Sequence, residues 1–324
     1  MIHRRALLAA PAFLPGLALA QAQADWPQRP INMLIPFVAG GPSDITGRVI
    51  AARLGALLGQ TVVVENRPGA NGAVAAQAMA RAAPDGHTIM TGSIGVFAIN
   101  KALRPSLPYD PVRDFAPVTL AVTTPNVLIL NPQQVPATDF AGTLAWLRAN
   151  GARASYSTSG VGSSEHLTME LLKQRTRTEA THIPYQGGAA ATTALLAGDV
   201  QLTFQNLGTV APHIAAGRLR AVMVTSAARN PTIPDVPTAA ELGIEDFVVT
   251  SWQAVMAPAA VPAPILARLE AACIESLRHP ESRQRLGQIG LEVAASSAAD
   301  FRRFQEAEIA RWRSVVESAQ IRAE

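Results

Sequence analysis

Residues Pro36–Asp44 have the sequence PFVAGGPSD, which is the most informative segment of the chain for its fold. It lies between an apolar strand predicted over 31–35 and a helix predicted over 45–58, whose apolar residues recur near the 3.6-residue period. The paired glycines allow a sharp turn, the helix N-terminus adds roughly half a positive charge, and Ser43 or Asp44 is expected to cap the helix. The loop is therefore either an anion site built from backbone N–H groups, suited to a carboxylate, or an ordinary strand-to-helix turn.

Loops of the same kind recur at three further ends of predicted strands. Small and hydroxylic residues follow a strand at 91–93, precede a helix at 158–164 and precede another helix at 185–189. Open α/β sheets bind their ligands at such strand ends. Because the loops come from two blocks of sequence, we expect them to converge in a cleft between two lobes.

Predicted strands alternate with predicted helices along the chain, which is an α/β pattern. Further strands are predicted at 61–65, 88–91, 118–122, 127–130, 154–157, 181–184, 200–204, 219–225 and 248–256. Further helices are predicted at 73–81, 140–149, 165–175, 189–197, 263–278 and 298–318. With 324 residues, of which 48% are hydrophobic, the chain is long enough for two domains.

Residues 1–24 have the layout of a secretory signal peptide. Arg4 and Arg5 precede an apolar run over 6–20, which Pro11 and Pro15 make too broken for a membrane span. Cleavage after residue 20 or residue 24 fits this layout. A Sec signal is favoured over a twin-arginine signal, because two arginines are ordinary content for a Sec signal. We therefore expect export to the periplasm.

The remaining composition narrows the class of protein. Without residues 1–24, Lys+Arg falls from 27 to 25 against 24 Asp+Glu, a net charge of +1, so neither nucleic acid nor an anionic membrane is an expected partner. Cys273 is the only cysteine, so neither a disulfide nor a lipid-anchored N-terminal cysteine is expected. The sequence predicts a periplasmic protein that does not itself span the membrane.

Catalytic motifs are absent from the sequence. Glu165 stands where both the Gly-x-Ser-x-Gly elbow and the Gly-x-Gly-x-x-Gly dinucleotide motif need a glycine. His166 and Glu170, four residues apart, supply only two of the ligands that a metal site needs. Ser159 or Ser163 with His166 keeps a secreted hydrolase as a remote alternative, although no third group orients the histidine. We expect no enzyme activity, no metal and no cofactor.

Several longer motifs occur together in a fixed order. They are WPQRPI at 26–31, PFVAGG at 36–41 followed by Asp44, VENRPGANG at 64–72, PDGHT at 84–88, YQGG at 185–188, LLAG at 195–198, GRLRA at 217–221 and PDVPT at 234–238. In these motifs the whole mature chain resembles the substrate-binding proteins of tripartite tricarboxylate transporters, the Bug receptors.

The resemblance implies a two-domain periplasmic binding protein of the Venus-flytrap, type II-like fold, with the ligand cleft between the domains. Domain 1 would comprise 25–125 plus 249–324, and domain 2 would comprise 126–248. Such a receptor captures a small carboxylate, such as a di- or tricarboxylate or an aromatic acid, and delivers it to a two-component membrane permease. Presentation of the bound acid to a sensor kinase is the alternative that the resemblance leaves open.

The resemblance also implies the residues that hold the ligand, partly through ordered waters. They are Phe37, Ala39, Gly40, Gly41, Ser43, Asp44, Thr91, Ser93, Thr158, Ser159, Gly160, Ser163, Tyr185, Gly187, Gly188 and Ala189. Asp44 is expected to orient water or cap the helix, because it would repel a ligand carboxylate.

Gln205 departs from the family pattern. Many members have an acidic residue followed by Asn where this chain has Gln205 and Asn206. An acid there could receive a ligand ammonium group, whereas the Gln205 amide is neutral. The hypothesis is that Gln205 faces the ligand and that this receptor prefers an acid without an amine. The alternative is that Gln205 faces away from the cleft.

Overall fold

The computed structural model describes residues 26–151, 153–318 and 321, so the predicted signal peptide lies outside the described residues. The strands in chain order are β1 (Ile31–Ile35), β2 (Val62–Asn66), β3 (Thr88–Ser93), β4 (Phe115–Leu130), β5 (Ser155–Thr158), β6 (Thr181–Pro184), β7 (Leu202–Asn206), β8 (Arg220–Val224), β9 (Thr250–Pro258) and β10 (Glu292–Val293). The helices are α1 (Pro42–Leu58), α2 (Ala73–Ala80), α3 (Asn100–Leu103), α4 (Phe140–Asn150), α5 (Ser164–Thr176), α6 (Gly188–Ala197), α7 (Leu207–Ala215), α8 (Ala263–Arg278), α9 (Pro280–Gly287) and α10 (Ala298–Ser318). The predicted α/β class is confirmed.

The long strand β4 pairs with different strands along its two halves. Its residues 115–125 pair antiparallel with β9, and residues 126–130 pair antiparallel with β7 and β8. Parallel pairs extend the sheet on either side, β1 with β2 and β3 in one lobe and β5 with β6 and β7 in the other. The lobe of β1, β2, β3, β9 and β10 is called lobe 1 below, and the lobe of β5, β6, β7 and β8 is called lobe 2. The domain boundaries at 126 and 248 stay a prediction.

Alternation along β4 gives lobe 2 an apolar layer on each side of its sheet. Leu128 and Leu130 pack in the cluster that contains Phe204, whereas Val127 and Ile129 pack in the cluster that contains Leu195. Successive side chains of a strand point to opposite faces, so helices can cover both faces of the sheet. Both faces of lobe 1 are covered in the same way, one by a cluster around Trp252, Phe97 and Trp312 and the other by a cluster around Ile50 and Leu269.

The strands predicted at 118–122 and 127–130 are one continuous strand, which corrects the sequence-based assignment. Pro117 and Pro125 indicated breaks because proline cannot donate to a β-ladder. In the structure, Pro117 lies where the register with β9 shifts, and Pro125 ends the β9 pairing just before β4 changes partners. Both prolines therefore occupy positions where the loss of an N–H donor is tolerated.

The helices α3, α7 and α9 and the strand β10 were not predicted. Pro212 stands inside α7, a position that disfavours helix, yet Leu207, Val210 and Ala211 are buried and hold the segment in place by tertiary packing. Within the described residues, no helix is both long enough and apolar enough to cross a membrane.

Gly208 lies where α7 of lobe 2 meets the segment of lobe 1 that follows α9. A Cβ at Gly208 would lie 2.1 Å from the backbone oxygen of Ile289. Gly208→Ala is expected to lower the free energy of unfolding by about 1 to 3 kcal/mol, because the two backbones must move apart. Urea unfolding of the purified variant measures this change.

Gly287→Ala is the matched control, since a Cβ at Gly287 meets no atom within 4 Å. Its free energy of unfolding should stay within about 0.5 kcal/mol of the wild-type value. Equal midpoints for Gly208→Ala and the wild type would contradict the close contact between α7 and Ile289.

Candidate functional site

A cavity lies between lobe 1 and lobe 2. Its wall is formed by the loops that follow β1 and β3, by the N-terminal ends of α5 and α6, and by the ends of β7 and β9. A cleft between two lobes is a usual place for a small-molecule site. Among the described residues, no group of three or more His, Cys, Asp or Glu side chains could hold a metal ion.

The first wall is the loop from Pro36 into α1. Gly41 is the N-cap residue and no side chain caps the helix, so the prediction that Ser43 or Asp44 caps it is wrong. Ser43 instead donates from Oγ to Oε1 of Gln253 on β9, at 2.5 Å. Pro42 has no N–H to leave unpaired in the first turn. The first-turn amides thus lack a side-chain acceptor from their own helix, as an anion site requires.

Asp44 holds the shape of this loop from behind the cavity wall. Its carboxylate accepts from the Gly40 N–H at 3.0 Å, from Arg48 Nε at 2.9 Å and from Asn66 Nδ2 at 2.9 Å. Burial alone would raise the pKa of Asp44, but the hydrogen bonds from Arg48, Gly40 and Asn66 outweigh burial and lower that pKa. Asp44 is therefore ionised and engaged within the loop.

The second wall comes from lobe 2, where α5 and α6 begin. Ser163 caps α5 by accepting from the His166 N–H, whereas Gly187 precedes α6 without a side-chain cap. The φ angle of Gly187 is 106°, in the region that favours glycine, which explains the need for Gly at this turn. The N-terminal ends of α1, α5 and α6 all contribute to the cavity wall, so three helix dipoles place positive potential there.

The electrostatics of the wall are unusual for an anion site. Within the described part of the chain, Glu165 is the only ionisable residue on the wall, and no Lys, Arg or His lines it. Backbone amides, hydroxyls and side-chain amides provide the other polar contacts. The wall can therefore hold an anion through hydrogen bonds from neutral donors, without an ion pair.

Glu165 is buried at the start of α5. Its Oε1 accepts from Ser159 Oγ at 2.9 Å, and its Oε2 accepts from Ser164 Oγ at 3.2 Å. Burial raises the pKa of Glu165, and the hydrogen bonds from these serines counter that effect only in part.

Three aromatic rings stack against the loop over 158–163, which leads into α5. Tyr156 stacks on His182 at 5.0 Å between centroids, and His182 stacks on His166 at 3.9 Å. The Gly162 N–H donates to His166 Nδ1 at 3.2 Å, and Thr158 Oγ1 lies 2.7 Å from His182 Nε2. These two contacts join the loop over 158–163 to the stacked histidines. Burial is the main cause that lowers the pKa of His166 to about 4 and that of His182 to about 3.

An outer groove adjoins the cavity. It shares Phe37, Val38, Asn71, Ser159 and Gly187 with the cavity wall. Arg104 also lines it, and among the described residues Arg104 alone puts a formal charge on the groove wall. The guanidinium of Arg104 therefore gives the groove wall a positive charge.

The structure brings most of the predicted site residues together. The cavity is lined by Phe37, Ala39, Gly41, Ser43, Ser93, Ser159, Ser163, Gly187, Gly188 and Ala189. The outer groove is lined by Gly160 and Tyr185.

Five predicted residues line neither the cavity nor the outer groove: Gly40, Asp44, Thr91, Thr158 and Gln205. Gly40 and Asp44 bond each other, the Thr91 hydroxyl contacts Met33 Sδ, and Thr158 contacts His182. The carboxylate of Asp44 and the hydroxyl of Thr158 thus hold their loops from outside the cavity wall.

Gln205 lies behind Gly188. It is fully buried, and neither its Oε1 nor its Nε2 has a hydrogen-bond partner in the described part of the chain. Its Oε1 lies 2.9 Å from the position that a Gly188 Cβ would take, so any side chain at 188 would collide with the Gln205 amide.

Ten wall residues were not predicted: Val38, Pro42, Asn71, Ile94, Gly95, Ser164, Glu165, Asn206, Ser251 and Gln253. Asn71 and Asn206 stand in or beside recognised motifs, which was an available signal. Ser251 and Gln253 lie on β9, which comes late in the chain and reaches the wall because Ser93 pairs with Gln253. No local pattern reveals that pairing.

Comparison with known proteins now identifies the chain. The family described as the tripartite tricarboxylate transporter family receptor matches residues 46–321. The protein belongs to this family. The resemblance stated from the sequence motifs is therefore confirmed.

Solved structures agree with this assignment. The structure of R. palustris Rpa4515 with adipate has a TM-score of 0.87 and 36% identity, over 92% of this chain and 99% of that chain. The periplasmic binding protein BugD has a TM-score of 0.86 and 31% identity, over 92% and 100%. MatC (Rpa3494) from Rhodopseudomonas palustris with bound malate has a TM-score of 0.85 and 33% identity, over 90% and 100%. This member of the family thus has the periplasmic binding protein fold that the sequence predicted.

The stacked histidine pair of this receptor makes its stability depend on pH. Both folded-state pKa values lie below the ordinary value of 6.5, so the unfolded chain binds protons more readily. The stability from the neutral stack is complete above about pH 6.5 and is lost as the pH falls towards about 4 and then 3. Each histidine contributes a slope of up to about 1.4 kcal/mol per pH unit.

Urea unfolding between about pH 7 and about pH 4 tests this expectation. His182→Gln should reduce the slope by about half, whereas Gly287→Ala, which changes no titratable group, should leave the slope unchanged. A wild-type slope equal to that of His182→Gln would contradict the role of the stack.

Proposed function

We propose that this receptor captures a small organic carboxylate in the periplasm and delivers it to a two-component membrane permease. The observation that carries the proposal is the cavity between the lobes, where the N-terminal ends of α1, α5 and α6 meet and where no basic side chain of the described residues lines the wall. Such a wall favours an anion small enough to contact several helix ends at once. No covalent step is part of this function.

The ligand class is a di- or tricarboxylate or an aromatic acid. The family assignment supports a carboxylate, and the adipate and malate complexes of the similar proteins support a small diacid. The apolar side chains of Phe37, Val38 and Ile94 on the wall suit the hydrocarbon part of such an acid.

The energetics are sufficient for useful affinity. Micromolar binding requires about 8 kcal/mol. A helix terminus contributes roughly 0.3 to 2 kcal/mol, so three termini with charge-assisted N–H bonds and exclusion of water are a plausible source. A ligand that contacts both lobes stabilises the closed arrangement, and the permease would then recognise the closed surface.

The test of the function is a ligand panel. The mature protein is unfolded and refolded to remove any bound ligand, and its thermal shift is measured with mono-, di- and tricarboxylates, aromatic acids and amino acids. A saturable rise with one class of acid is expected, since ligand at about 100 times its dissociation constant adds about 2.7 kcal/mol to stability. A folded protein with no shift across the panel would overturn the proposal.

Gly41→Ala tests the loop at the start of α1. The φ angle of Gly41 is −84°, and a Cβ there meets only the Val38 oxygen, at 3.9 Å, so the variant should fold normally. The methyl group would instead take up open space beside the first-turn amides and weaken binding of the best acid by about tenfold.

Isothermal titration calorimetry gives the affinity of Gly41→Ala, and Gly287→Ala, which lies outside the cavity, serves as the control. Unchanged affinity in Gly41→Ala would show that the acid does not approach these amides.

A further inference from the structure

Glu165 stands out because it is a carboxylic acid on the wall of a site for acids. It is 5% exposed and it lies on the cavity wall beside Ser163 and Ser164. The wall offers no basic residue within the described part of the chain to neutralise it. An ionised Glu165 would therefore repel an anionic ligand at short range.

The hydrogen bonds of Glu165 come from neutral donors. The Ser159 and Ser164 hydroxyls donate to its two oxygens, and no Lys, Arg or His lies within ion-pair distance in the described residues. Burial raises the pKa of Glu165 even against these donors. A buried carboxyl without a cation favours its protonated form, which can donate one hydrogen bond.

The charged groups on α1 and further along α5 form ion pairs that do not involve Glu165. On α1, Asp44 pairs with Arg48, and further along α5, Glu170 pairs with Lys173.

The neighbouring histidines are also engaged away from Glu165. His166 and His182 stack on each other, and burial lowers both of their pKa values to about 4 or below. No titration of these groups between about pH 6 and about pH 9 changes the charge beside Glu165.

We propose that Glu165 determines the specificity of the cavity by donating the hydrogen bond of its protonated carboxyl to a second acceptor oxygen of the bound acid. This inference rests on the proposed function and names its ligand class as a dicarboxylate. One carboxylate of the ligand lies at the amides of α1 in lobe 1, and the second acceptor lies at Glu165 in lobe 2. The shared proton sits between Glu165 and the ligand oxygen.

A proton shared between Glu165 and the ligand removes the repulsion between their two carboxyl groups. When two carboxylates share a site, the pKa of one rises strongly, so the ligand itself favours the protonated Glu165. The bond also links the ligand to lobe 2, which supports closure. An ionised Glu165 would do the opposite and select a ligand with an ammonium group, such as aspartate.

The experiment uses the full mature chain, malate and adipate as first probes, and aspartate as the probe that carries an amine. If another acid of the ligand panel binds more tightly than malate and adipate, that acid is used as the probe instead. Glu165→Gln supplies a permanent N–H donor of the same size, and Glu165→Ala removes the donor. Glu179→Gln, which changes an exposed acid of lobe 2, is the matched control. Thermal unfolding of each variant without ligand checks that it is folded.

Calorimetry should give Glu165→Gln an affinity for the diacid within about threefold of the wild type, and Glu165→Ala an affinity at least about tenfold weaker. Infrared difference spectra at about pH 7 should show the carbonyl band of a protonated carboxyl in the wild-type complex, and this band should be missing from the Glu165→Gln complex.

Three results would overturn the inference. They are a wild-type complex without the protonated band, a Glu165→Gln variant that has lost the diacid, and tighter binding of aspartate than of malate. If the wild type binds no acid of the panel, the proposed function fails as well. Binding by the wild type without the band overturns the role of Glu165 alone.

Discussion

The antiparallel pairing between β4 and β9 is the constraint on which the rest of the structure depends. Over residues 115–125, β4 pairs with β9, and the same strand then continues into lobe 2 and pairs with β7 and β8. Because β9 also pairs with β3, this one ladder fixes the loop after β3 relative to lobe 2. The cavity exists because the strand that carries the chain from lobe 1 to lobe 2 is continuous.

The chemistry of the cavity follows from helix placement more than from charged side chains. Helices α1, α5 and α6 present their N-terminal ends. The loops in front of them are held by the polar side chains of Asp44, Thr158, His166 and His182. A site of this kind can hold a carboxylate through backbone N–H groups, which leaves selectivity to the side chains of the wall. Among the described wall residues, Glu165 is the only one whose side chain is ionisable.

The sequence predicted the fold class and most local elements, for physical reasons that are visible in the chain. The strand at 181–184 and the helices at 263–278 and 298–318 have their predicted bounds, since their patterns are local. It did not predict α7, whose Pro212 disfavours helix and whose stability comes from tertiary packing. The continuity of β4 was also hidden, because prolines that are tolerated at changes of register or partner look like breaks.

The site was predictable where glycine loops marked it. Gly41, Ser163 and Gly187 follow from the rule that ligands bind at strand ends. Gln253 was not predictable, because only the pairing of β9 with β3 brings it to the wall. Glu165 was interpreted only as a residue that breaks catalytic motifs, since burial and the absence of a nearby cation are properties of the folded chain.

A crystal structure of the mature chain with its tightest acid tests the central claim most directly. The account predicts a ligand carboxylate about 3 Å from the backbone amides at the start of α1, with the same ligand in contact with the ends of α5 and α6. A ligand bound outside the cavity, or a carboxylate held by Arg104 in the outer groove instead of by those amides, would contradict it.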